Sequence, residues 1–171
     1  MKRLKCYLII GILFVILTGT ISHFVYEWSG DCVLLGFFFP VSESTWEHMK
    51  LLFFPMLLFS AFLGKRREAE IPCLTSALFF GTLFGTFLIP VLFYTYTGVL
   101  GRNYPALDIA TFVLSVLLAF LAVYRLALSC RAESWLLVLE LLLFLLVVCF
   151  FVFTYHPPAL GIFADPTASS P

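Results

Sequence analysis

Long apolar runs broken by short clusters of charge set the pattern of this chain. Five stretches, at about residues 4–26, 45–63, 71–96, 106–128 and 134–154, are apolar over most of their length. A helix needs roughly 20 such residues to cross a bilayer, and the five runs predict an all-α polytopic membrane bundle of five transmembrane helices, a single integral membrane domain over 1–171. The apolar piece at 33–40 is too short to span, and its Gly36 and Pro40 oppose a long helix. It reads as a re-entrant segment covering one end of the bundle, or as an interfacial loop with aromatic anchors. Lys2, Arg3 and Lys5 ahead of the first run resemble a signal peptide start, but the run exceeds the roughly 7–15 residues of a signal core and no small-residue cleavage site follows.

Punctuation within the runs refines this picture. Pro55 and Pro90 fall inside the second and third spans, where each removes a backbone donor and is expected to bend its helix. Ala77, Gly81 and Gly85 recur every four residues in the third span, beside Thr82 and Thr86, a spacing that lets another helix approach closely. From Tyr155 onward, Pro157, Pro158 and Pro166 predict an irregular tail.

Composition then removes whole classes of function. The chain is 62% hydrophobic and only 12% charged, with a mean hydropathy of +1.06, far from soluble proteins, in which roughly 25% of residues are charged. No length is left for a soluble catalytic domain, and a nucleic-acid partner is excluded. The net charge of zero conceals an asymmetry. Lys2, Arg3, Lys5, Lys65, Arg66, Arg67, Arg125 and Arg131 fall at one end of the predicted bundle, against Arg102 alone at the other. The positive-inside rule predicts a cytoplasmic N-terminus and an external C-terminus. Cys6, Cys32, Cys73, Cys130 and Cys149 show no CxxC spacing, so neither a thiolate metal site nor a disulfide framework is expected, and most read as small hydrophobes.

The chemistry concentrates in one place. Glu43, Glu47, His48 and Lys50 crowd into eight residues ahead of Leu51, and ionisable groups so close to hydrocarbon mark a functional site by default. In the predicted topology His23, Glu27, Asp108 and His156 come to the same outer end. Glu27, Glu43, Glu47 and Lys50 form the expected binding set. His23, Glu27, Glu47 and His48 supply the oxygen and nitrogen donors expected for a divalent metal such as zinc or manganese. No catalytic residue is assigned. A plainer reading stands beside this one: Ser44-x-x-Glu47 matches a capping box, Ser42 a helix cap and Trp46 an interfacial anchor. Glu140, alone in the fifth span, is expected to pair with Arg125 or Arg131, or to join a proton relay.

The stretch Pro40-Val41-Ser42-Glu43-Ser44-Thr45-Trp46-Glu47-His48-Met49-Lys50 resembles a segment Pro-Val-Asn-Glu-Ser-x-Trp-Glu-His-Leu-Lys of a family of small multi-pass bacterial membrane proteins, known only as a domain of unknown function. Pro157-Pro158 and Asp165-Pro166 match further features of it. Ser42 departs from the usual Asn, but both cap helices well. The resemblance implies a bacterial cytoplasmic membrane and carries no activity. From the residues, the expected function is an outward-facing acidic and histidine site that binds a cation or small polar solute for transport or sensing. The alternatives are a membrane-embedded metal-dependent hydrolase and a structural or accessory subunit. The expected partners are membrane lipids and either a second copy or another membrane protein.

Overall fold

A computed structural model describes residues 2–67 and 71–165. Pro166, named above in the irregular tail, lies outside them. The described residues are mostly helical, and no strand occurs among them. Five long helices are α1 (Lys2–Trp28), α3 (Thr45–Arg67), α4 (Leu74–Leu100), α5 (Pro105–Ser129) and α6 (Leu136–Tyr155), and α2 (Val33–Gly36) is a single turn between the first two. Short 3₁₀ turns occupy Glu133–Trp135 and Gly161–Phe163. The five long helices, α6 together with the turn before it, are long and apolar enough to cross a membrane.

The helices α1, α3, α4 and α5 close into a ring of neighbours, while α6 leans chiefly on α4. Burial follows from that arrangement: α3 is the most enclosed span and α6 the least. A core of Val15, Leu52, Phe53, Met56, Leu78, Val116 and Phe120 fills the ring. Outside it, Leu13, Leu17, Leu137, Leu141 and Phe144 are largely exposed, the outer face a bundle offers to hydrocarbon rather than water.

Small residues decide how closely the ring can draw in. A Cβ on Gly85 would meet Ala119 Cβ at 2.7 Å and Leu52 Cδ1 at 3.1 Å, and one on Gly81 would run into Val123 and the Ala119 carbonyl. The absence of side chains at these two positions therefore seats α4 against α5 and α3 together. Between α1 and α3, Gly19 faces the Leu51 carbonyl. Pro55 lies four residues after Leu51 and has no N–H to give it, so that carbonyl is free of its usual helical partner where α1 approaches.

Two features depart from the sequence reading. Cys73 and Cys130 form a disulfide, with Cα atoms 5.3 Å apart, where no disulfide was expected. Cys73 caps the start of α4 and Cys130 the end of α5, so antiparallel packing of this hairpin brings together residues that spacing alone keeps apart. Cys6 and Cys32 are free and exposed, and Cys149 is half-buried. Glu140 is exposed on α6 and, among the described residues, makes no ion pair with Arg125 or Arg131. The reason is again topological: Arg125 belongs to α5, while α6 packs chiefly on α4.

Candidate functional site

The connection 29–44 turns tightly before α3. Gly30 and Asp31 both adopt positive φ, 68° and 60°, and Ser29 Oγ donates to the Tyr26 carbonyl at the end of α1. Ser44 Oγ then accepts the Glu47 amide at 3.3 Å, which is the capping half of the expected box. The reciprocal half is missing because the Glu47 carboxylate is used elsewhere. Glu43 therefore precedes the helix, and its side chain is free to swing round the helix end.

That placement assembles a cluster. Glu43 Oε2 lies 3.4 Å from His48 Nε2 and 3.7 Å from His23 Nε2, and the rings of His23 and His48 sit with centroids 5.2 Å apart. His48 Nδ1 is 2.9 Å from the Ser44 carbonyl. A carbonyl only accepts, so Nδ1 carries a proton; in the protonated ring Nε2–H donates to Glu43, and with that proton removed the Nε2 lone pair is free for a bound ion. One donor atom from each of the three side chains falls within 4.8 Å of the others. A tetrahedral ion with bonds of about 2.0–2.1 Å sets its donors roughly 3.3 Å apart, close to the two distances from Glu43 to the histidines. Glu43 lies between spans, and the hydrogen bond from His48 holds its carboxyl below the usual range. Partial burial opposes this, and the positive fields of His48 and His23 assist it against Asp165.

A pocket of 440 Å³ opens beside the cluster, walled by α1, α3, α4 and α5. Asp108 and Asn103 line it with the three donors, and the Tyr96 hydroxyl donates to Asp108. Deeper in, Gly19, Leu51, Ile89 and Phe112 form apolar walls. Asp108 was placed by the sequence at the same outer end as the cluster but in neither the binding nor the metal set, and Asn103 was not singled out. A carboxylate in the first turn of a helix, after a polar loop, was the available signal.

The other expected site residues go elsewhere. Glu27 is exposed, one turn beyond His23, and does not belong to the cluster. Glu47 also stands apart, because on the helix it points about 100° away from His48. It is buried against Lys50, with Oε2 2.7 Å from Nζ, and it accepts the Val41 amide at 3.0 Å. Lys50 Nζ donates to the Gly36 carbonyl at 2.9 Å and to Thr154 Oγ1 at 2.6 Å. The segment 33–40 therefore covers this ion pair and does not roof the histidines. Phe37 packs at a tilt on Phe151, and Phe38 meets Phe151 and Phe54 edge to face.

No curated protein and no solved structure matches the chain. A family model does match residues 1–170, nearly the whole length, and the chain belongs to that family of unknown function, DUF6512.

Proposed function

We propose that this protein is a multi-pass protein of a bacterial cytoplasmic membrane that binds a divalent transition metal at His23, Glu43 and His48. The eight Lys and Arg residues gathered at one end set its N-terminus in the cytoplasm, so the site faces outward. The observation that carries the metal reading is the convergence of two imidazole Nε2 atoms on one Glu43 oxygen, with His48 Nδ1 occupied by a backbone carbonyl. Two nitrogens and one carboxylate suit zinc, and they accept manganese less readily. Glu43 takes the carboxylate place in the ligand set, and Glu27 and Glu47 leave it.

The pocket favours capture or sensing over transport. One turn below it, Val15 and Val116 are fully buried, and among the described residues no chain of ionisable groups leads onward to the opposite end. A metal-dependent hydrolase is the second reading, because three protein ligands leave a coordination position open and Asp108 shares the pocket as a candidate base. The test is elemental analysis of protein purified without a polyhistidine tag. About one zinc per chain is expected, falling to trace in H23A/H48A. A wild-type protein free of metal, or a double variant that keeps it, overturns the reading and leaves a structural subunit.

A further inference from the structure

We propose that the pocket beneath His23, Glu43 and His48 receives a single-tailed amphiphile, its anionic oxygen head on the metal and its apolar tail among Leu51, Ile89, Phe93 and Phe112. The proposal rests on the metal reading above and names the ligand class of that site.

Three observations lead there. The first is size: 440 Å³ lies within the range of pockets that enclose organic ligands, about 300–1,000 Å³, and far exceeds the need of an ion with one water. The second is the sorting of polarity by depth. The ionisable groups lining the pocket, His23, Glu43, His48 and Asp108, sit at its outer end, whereas its depth is walled mainly by Leu51, Ile89 and Phe112, with the uncharged Thr111 beside them. A sugar or amino acid seated there would leave buried polar groups unpaired, whereas a hydrocarbon tail would not. The third is a flank. Thr20 and Phe24 on α1 and Ile109 on α5 line the pocket and are also exposed, which gives the cavity a side facing the bilayer from which an amphiphile can pass in.

Charge fixes the head group. A divalent ion held by two neutral imidazoles and the Glu43 carboxylate keeps one positive charge within its ligand set, and a monoanion in the open position cancels it there, whereas the Asp108 carboxylate lies outside that set and is engaged by the Tyr96 hydroxyl. Asp108, already hydrogen-bonded by Tyr96, stands across the pocket and disfavours heads of higher negative charge. A carboxylate is the simplest head that meets both conditions.

The experiment uses the full chain in phosphatidylcholine nanodiscs, loaded with Co²⁺, whose visible bands report the ligands on the ion. Acetate, octanoate and 1-octanol are titrated in turn. Octanoate is expected to shift the bands at a concentration at least about tenfold below acetate, since each methylene removed from water adds affinity. Octanol is expected to leave them unchanged. Ile109→Trp, at an exposed position on the flank, should reduce the advantage of octanoate while the Co²⁺ bands and the acetate response remain, which separates pocket binding from simple enrichment in the bilayer. Equal responses to acetate and octanoate, or an octanoate advantage untouched by Ile109→Trp, overturn the amphiphile and leave the metal site standing. A chain that takes up no Co²⁺ overturns both.

Discussion

Lys50 Nζ lies 2.7 Å from Glu47 Oε2 one turn earlier on α3, and neither side chain has appreciable contact with solvent. The pair does not stand alone. Its remaining hydrogen-bonding capacity goes to the Gly36 carbonyl, the Val41 amide and Thr154, so one ion pair ties α3 to the connection before it and to the end of α6. That matters most for α6, the least enclosed of the spans. Two of the residues that the sequence places in the binding set thus also form an internal fastening.

A mutational cycle checks this role. Removing one partner strands the other charge in an apolar interior, and Glu47→Ala should cost about 3–5 kcal/mol of stability. The double variant Glu47→Leu with Lys50→Met should recover most of that loss, because two apolar side chains need no partner. Thermal unfolding in detergent measures both. A single variant as stable as wild type would show that the pair holds nothing together.

Packing through α4 gives a second expectation. Gly81→Ile must displace Val123 or separate α4 from α5, and overpacking of this kind costs about 1–3 kcal/mol. Gly98 serves as the control: it lies on the same helix with nothing within 4 Å of an added Cβ. Gly98→Ala should be neutral or slightly stabilising, since alanine favours a helix interior over glycine. Equal effects at the two positions would place the face bearing Gly81 outside the bundle.

How far the sequence could be read depended on what each feature requires. The five long helices were legible because apolar length is a local property, visible in the runs themselves. That His23 and His48 share a depth followed from where the first two spans end and begin. Which carboxylate joins them was not legible, because it turns on a single boundary: α3 starts at Thr45, which leaves Glu43 off the helix and free to reach His48. A helix beginning two residues earlier would have put Glu43 and Glu47 on one face, as the spacing alone implies. The Cys73–Cys130 bridge was hidden for a different reason, since only the closed α4–α5 hairpin brings its two ends together.

The pH response of the metal-free protein follows from Glu43. Its folded-state pKa is held below the usual carboxylate value, chiefly by the His48 hydrogen bond. A lowered carboxylate contributes stability that is fully present above its unfolded value and is lost as pH falls through the folded one. Protein stripped with a chelator should therefore lose thermal stability as pH drops below about 4.5, and Glu43→Gln should show a shallower decline over the same interval. Parallel curves for the two proteins would mean that the contact with His48 does not persist in solution.

The disulfide tests orientation as well as stability. If the Lys- and Arg-rich end lies in the cytoplasm, as proposed, Cys73 and Cys130 lie there too, in a compartment that keeps thiols reduced. A membrane-permeant maleimide added to growing cells should then label both residues, and a diamide pulse beforehand should protect them together. Protection without any oxidant would place this end outside and invert the topology. In air-oxidised, purified protein the bridge closes a separation of 57 residues, for which chain entropy alone gives about 4 kcal/mol. The measured loss on reduction should be smaller, about 1–3 kcal/mol, because apolar helices such as α4 and α5 keep structure in the detergent-unfolded state, which leaves less loop entropy for the bridge to remove. Cys73→Ser should match the reduced wild type and be indifferent to reductant, and a variant as stable as the oxidised protein would show that the bridge adds nothing to the packing already there.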